Sequence, residues 1–233
     1  MFNKGKALLL WALECKSEMK AEFSEWYSLE HVPALVQVSG FISGNRYVKV
    51  KDIPLPSLKP MPDLPIWLSF YELEDEKVLK SEEYQINRNS LGPGMRPEWT
   101  KRMLKYLSRI MGGTYEPLTE AWLAESELCE QTVWAIYLWP VDGKESAVDL
   151  WYQERLLPSL QSTGIVTACR LFGTHGVSPN LESKVRRAEG PGRIILTTVC
   201  GDSVDSALIH DTWAAIKDEI VSATSGLYNR MHL

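Results

Sequence analysis

One internal echo constrains this chain more than any other feature. The stretch WYSLEHVP at 26–33 and the stretch WYQERLLP at 151–158 carry tryptophan, tyrosine and proline at the same spacing. A frame that returns about 125 positions on, in a chain of 233 residues, points to two copies of one unit rather than one large irregular domain. With one residue of slippage, Gly40-Phe41 falls on Gly164-Ile165 and Arg46-Tyr47 on Arg170-Leu171. Inside the frame the copies part company: Glu30 stands against Arg155, and His31 against Leu156.

The pattern around the frame repeats as well. Each copy opens on a strand-like apolar run, 7–13 and 132–139, followed by a helix of about five turns that ends at the proline frame. A glycine and a second strand follow, at 41–50 and 166–174. A punctuated loop then leads to a third strand, at 66–73 and 193–200. Helical regions at 76–109 and 205–220 and short closing strands complete two β-α-β-β-α-β units, split at 1–122 and 123–233. This order is ferredoxin-like, an antiparallel sheet with helices on one face. Leu9, Trp11 and Leu13 alternate with Leu8, Leu10 and Ala12, so both faces of the first strand are apolar. The sheet therefore needs a second layer. The expected fold is α+β: two tandem ferredoxin-like units whose antiparallel sheets pack as a barrel within one chain, with a shared interior.

Composition narrows the partners. An apolar content of 45% supports a sizeable core, and a formal charge of −5 without a basic stripe disfavours nucleic acid and anionic membranes. The apolar run near the N-terminus spans only seven residues, too short for a membrane span, so a cytoplasmic protein is expected. Cys15, Cys129, Cys169 and Cys200 are far apart with no histidine at ligand spacing; buried reduced thiols are expected, and no metal site.

The segment WYSLEHVPALVQVSGFISGNRY resembles the signature of the dimeric α/β-barrel superfamily, specifically its EthD-like branch, on Trp26, Glu30, His31, Pro33, Gly40, Phe41, Arg46 and Tyr47. Ser39 departs from the proline usual before the glycine. Members commonly dimerise to make the barrel, so the resemblance implies that a tandem chain makes one internally; further homodimerisation stays open. The superfamily includes cofactor-independent cyclases, decarboxylases, dehydratases, isomerases and monooxygenases, together with haem-binding enzymes and proteins without demonstrated activity. It implies fold more firmly than reaction.

The candidate chemistry centres on the first frame. On a helix Tyr27 and His31 are neighbours one turn apart, and Glu30 lies beside them. A histidine titrating near neutrality suits general acid or base catalysis on an enolisable or phenolic compound, whereas its plainer role is to satisfy a helix-terminal carbonyl. Arg46, mid-strand in an apolar setting, is the candidate for holding an oxyanion, with Arg170 at the matching position. Arg88 and Arg96 have surface ion pairing as the plainer alternative. Trp26, Trp11, Tyr71 and Tyr137 are candidate substrate-binding residues, the strand aromatics either filling a core or lining a cavity between the sheets. The expected function is a lyase, cyclase or isomerase that uses no cofactor and acts on a small oxygenated polyketide-type or aromatic molecule. A cofactor-free monooxygenase, a small-ligand binder and a haem protein with His31 as axial ligand are the alternatives.

Overall fold

The structure, a computed structural model, describes residues 5–55, 59, 63–89, 97–124, 132–174, 186–188, 190–201, 204 and 212–231. In the first half, β1 (Ala7–Cys15), β2 (Phe41–Ile53), β3 (Trp67–Leu73) and β4 (Leu107–Pro117) form the order β2-β3-β1-β4. In the second half, β5 (Trp122–Leu123) precedes β6 (Thr132–Pro140), β7 (Val166–Thr174), β8 (Arg186–Ala188), β9 (Arg193–Val199) and β10 (Ile220–Arg230). Its main strands run in the order β7-β9-β6-β10. β10 pairs with β2 and β4 with β7, closing an eight-strand antiparallel barrel, and the short β5 and β8 attach to its rim strands β7 and β4. The α+β class and the barrel agree with the sequence pattern.

The helix after β1 does not stop at the proline frame. It runs through α1 (Lys20–Trp26), a π-turn (Tyr27–His31) and α2 (Val32–Val36). The second half repeats this as α5 (Glu145–Trp151), a π-turn (Tyr152–Leu156) and α6 (Leu157–Ser162). Proline lacks the N–H that an α-helix needs, and the wide turn just before it absorbs the mismatch: Val32 N–H reaches back to Tyr27 O, and Leu157 N–H to Tyr152 O. Because both halves carry the π-turn, it follows from the shared frame and is no sign of chemistry by itself. The expected helical region 76–109 is broken into a 3-10 turn at Glu76–Lys80, α3 (Glu82–Asn89) and α4 (Glu98–Leu104), with β4 beginning at Leu107. Of the region expected as helix at 205–220, residues 205–211 lie outside the described residues, and 212–219 make only a short helical turn and a 3-10 turn (Lys217–Glu219) before β10 begins at Ile220.

Alternation sorts the side chains into three apolar bodies. Leu8, Leu10, Leu68, Phe70, Tyr137, Leu196 and Tyr228 fill the barrel interior. Leu9, Leu13, Trp67, Tyr71, Phe23, Trp26 and Tyr27 pack between the first sheet and its helices. Trp134, Ile136, Trp151, Tyr152, Leu156, Leu171 and Ile195 form the same layer in the second half. The double-sided apolar pattern of β1 is thus explained by burial on both faces. At about 1.5–3 kcal/mol for each large apolar side chain removed from water, these bodies dominate the stability of the fold.

The register refines the correspondence between the halves. Phe41 pairs with Leu73, and Val166 with Val199; each strand then bulges, before Ser43 in β2 and before Ala168 in β7. The one-residue slip is therefore confined to the turn, where Gly40 and Gly164 adopt φ of 91° and 68°, and the strands regain the spacing of the frame. Arg46 pairs with Ser69, and Leu171 with Ile195, so Leu171 is the counterpart of Arg46. The expected match of Arg46 with Arg170 is corrected: Arg170 takes the place of Asn45, on the opposite face of the sheet.

Candidate functional site

The sequence-derived candidates fall into two places. Tyr27, Trp26, His31, Arg46, Tyr71 and Trp11 belong to the layer between α1–α2 and the outer face of the first sheet. Tyr137 lies on the other side of the sheet system, inside the barrel. Of the two roles left open for the strand aromatics, the barrel interior shows core filling among the described residues, and the polar cluster lies outside it, under the helices.

Arg46 is the centre of this cluster. Its side chain is 1% exposed. Nη1 donates to Ser24 O and to Ser28 Oγ, both at 2.7 Å, and Nη2 donates to Ser24 Oγ at 3.3 Å. The guanidinium packs 4.8 Å from the Tyr27 ring centroid and 5.9 Å from that of Trp67. Among the described residues none of its hydrogen-bond partners is a carboxylate, and Nε has no partner at all. Burial accordingly holds the Arg46 pKa below its ordinary value. A buried cation held only by neutral oxygens and aromatic faces leaves positive charge available to an anion.

Ser69 faces the same place from β3. It is fully buried, its cross-strand neighbours are Arg46 on one side and Trp11 on the other, and its Oγ makes no hydrogen bond of ordinary geometry among the described residues, though it lies near enough to the Tyr27 hydroxyl to favour the ionised phenol. Beside it Tyr71 OH donates to Tyr27 OH across a long 3.5 Å. Burial pushes the Tyr27 pKa up, opposed only in part by hydrogen bonding from Tyr71 and Ser69 and by the Arg46 charge, and burial beside Tyr27 pushes the Tyr71 pKa well up. Both phenols therefore stay protonated and serve as neutral donors.

His31 is half-buried at the end of the π-turn. Its ring lies 4.6 Å from that of Tyr27 and 4.9 Å from that of Trp26, centroid to centroid. Glu30 is turned towards α4: its Oε1 accepts from Trp26 Nε1 at 3.0 Å and from Thr100 Oγ1 at 2.5 Å. Glu22 ties the same helix down by accepting from Trp99 Nε1 at 3.0 Å and pairing with Arg102. Glu30 thus fixes Trp26, and through that ring the setting of the imidazole. An open surface concavity lies on α4, lined by Glu98, Trp99, Lys101, Arg102 and Lys105; none of the layer's residues lines it.

Sequence reasoning missed Ser24, Ser28 and Ser69. Ser69 left one signal, a lone small polar residue within WLSFYEL, a strand whose every residue is buried. Ser24 and Ser28, spaced one turn apart, left none that sets them apart from solvated helix positions. Arg170 donates from Nε to Thr119 O at 3.1 Å and packs over the Phe172 ring. The side chain of Arg88, and Arg96, Cys129, His175, His210 and His232, lie outside the described residues. Of the other thiols, Cys15 and Cys169 are buried and Cys200 is exposed. Among the described residues no helix is long and apolar enough to cross a membrane.

No family model matches the sequence, and neither does any curated protein. Solved structures do. An anthrone oxidase-like protein superposes with a TM-score of 0.61 at 12% identity, covering 99% of this chain and 92% of its own. A monooxygenase-like protein from Fusobacterium nucleatum subsp. nucleatum gives 0.59 at 10% identity, with 99% and 94% covered. A chlorite dismutase variant from Candidatus Nitrospira defluvii, in complex with cyanide, gives 0.53 at 11% identity, with 99% and 93% covered. These neighbours belong to the dimeric α/β-barrel superfamily. At such identities the likeness establishes the shared barrel fold.

Proposed function

We propose that the helix-to-sheet layer of the first half is the active centre of a cofactor-independent lyase, cyclase or isomerase acting on a small oxygenated polyketide-type or aromatic molecule. The observation that carries this reading is Arg46, a buried cation without a carboxylate among its described partners, within the same cluster as a half-buried histidine. His31 moves the proton as general acid or base. Tyr27 sets the imidazole against its ring, Glu30 acts as a positioning residue through Trp26, and Arg46 stabilises the oxyanion that develops. Trp26, Trp11 and Tyr71 border the substrate, and Tyr137 contributes through the barrel packing behind the sheet. The layer is closed as it stands, and α4, pinned through Glu22 and Glu30, is the element whose displacement gives access.

The same reading takes the chain as a tandem pair of ferredoxin-like units of EthD-like type, 1–122 and 123–233, the second without the chemical side chains. The matching strand orders and coincident bulges support it. A cofactor-free monooxygenase is the second reading, supported by the neighbours named as anthrone oxidase-like and monooxygenase-like. It uses the same base and oxyanion holder, and the resulting carbanion meets dioxygen. A small-ligand binder or a haem protein with His31 as axial ligand is the remaining alternative, the half-buried imidazole being flanked by the Tyr27 and Trp26 rings.

The test is turnover of a panel of enolisable aromatic and polyketide-type compounds. His31→Ala is expected to lower kcat by about 10²–10⁴-fold with the circular dichroism spectrum and melting temperature unchanged. Full turnover by the folded variant would remove His31 as the acid or base, absence of turnover across the panel would count against the enzyme reading, and oxygen consumption separates the two readings.

A further inference from the structure

Two buried donors in the first-half layer make no hydrogen bond of ordinary length and angle among the described residues, although Ser69 lies near enough to the Tyr27 hydroxyl to favour its ionised form, and they are neighbours. Arg46 and Ser69 are Cα partners across β2 and β3, 1% and 0% exposed, with Arg46 Nε and Ser69 Oγ both lacking such a hydrogen bond. Side chains paired in this way on one face have Cβ atoms about 5 Å apart. Leaving either donor unsatisfied in a buried layer is unfavourable, so two adjacent ones call for an explanation. The second half shows that the fold does not need them: the same pair there is Leu171 and Ile195, both fully buried and apolar.

We infer that Arg46 Nε and Ser69 Oγ form a two-donor site for the ionised oxygen of a planar enolate or phenolate, with Ser69 as a binding residue alongside Arg46. The inference rests on the proposed function for the location of the site and adds the chemical class of what occupies it. A planar anion fits because the walls of the layer are aromatic: Tyr27 and Trp67 lie against the guanidinium, and Trp11 flanks Ser69 on the side away from Arg46. A neutral ketone would accept the same hydrogen bonds but would leave the Arg46 charge without a counter-ion. The fully delocalised enolate or phenolate satisfies both donors and the charge together.

The probe is 4-nitrophenol, whose two protonation states absorb differently, titrated against pH with and without an excess of the full chain. The bound phenol is expected to ionise at least about one pH unit below its value in water, a tenfold gain in its ionisation constant. Ser69→Ala is expected to weaken binding of the phenolate about tenfold, and Arg46→Leu to abolish the shift. The melting temperature of Ser69→Ala without ligand is expected to stay or rise, because a methyl replaces an orphaned hydroxyl; a purely structural hydroxyl would give a fall. Absence of binding, ionisation at or above the free value, or an unchanged affinity in Ser69→Ala would each overturn the inference. His31→Ala is expected to keep the shift. If it keeps both the shift and full turnover, the role given to His31 fails and the anion site stands; if turnover needs His31 while the phenol titrates as in water, the reverse holds.

Discussion

The two helix-to-sheet layers solve one packing problem with different chemistry. In the second half Arg193 grips Asp149 of α5 through two hydrogen bonds, Nε to Oδ1 at 2.5 Å and Nη2 to Oδ2 at 2.9 Å. This is an arginine with its charge answered. Asp149 lies three residues before Tyr152, and the residue three before Tyr27 is Ser24. At that place in the first half the helix is gripped by Arg46, and its acceptors are a carbonyl and two hydroxyls. The central row across the sheet is Ile136, Ile195 and Leu171 in one half and Trp11, Ser69 and Arg46 in the other. The frame of tryptophan, tyrosine, π-turn and proline is common to both. An apolar row with a paired arginine is therefore enough to dock the helix, and the charge of Arg46, which has no carboxylate partner among the described residues, is an addition to the fold.

The sharpest way to break this contrast is to give Arg46 the carboxylate it lacks. Ser24→Asp places an acid where the second half has Asp149, and the ion pair is expected to cancel the charge available to an oxyanion. Turnover should fall about 100-fold, near 3 kcal/mol in transition-state stabilisation, while stability holds. Unchanged kcat/KM in this variant would show that the charge of Arg46 is not used. The reverse manipulation, Asp149→Ala, strands a cation that was paired. It is expected to destabilise the chain by about 2 kcal/mol, read from the denaturant midpoint, without affecting turnover.

A smaller effect separates the halves by pH. Where the first layer has Tyr71 facing Tyr27, the second has Tyr152 OH donating to Cys169 Sγ at 3.4 Å, with the thiol pushed by burial from 9.0 up to about 11. Between those values the unfolded chain gives up a proton that the folded chain retains, so raising the pH across this window favours unfolding. Stability is expected to drop by about 1 kcal/mol between pH 9 and pH 10, and Cys169→Ala should flatten that part of the profile. An identical slope in the variant would mean that other groups, the buried tyrosines first, set the alkaline limit.

Much of this was legible in the sequence because it rests on local rules. The strands of both halves follow from runs of apolar residues, and the two-layer burial of β1 follows from apolar side chains on both parities. The frame drew attention to His31 because two stretches that share tryptophan, tyrosine and proline expose the residues between them that differ. The facing of each strand was not legible: strands apolar on both sides carry no mark of which side meets the helices. Tyr71 and Tyr137 therefore looked alike in sequence but lie on opposite sides of the sheet. Arg46 and Arg170 looked equivalent because a slip in the Gly40 and Gly164 turns is invisible until the bulges are counted.

The sequence by itself determined the kind of element at each place, the repeated frame and the residues at which the two copies differ, since periodicity and the demands of proline and glycine act over a few neighbouring residues. Only the tertiary structure decided that the polar side chains gather under the helices and not inside the barrel, and that Ser24, Ser28 and Ser69 surround Arg46. Those outcomes depend on register between strands and on the seating of a helix across the sheet. A shift of one residue there moves a charge from one face to the other while leaving the local pattern unchanged.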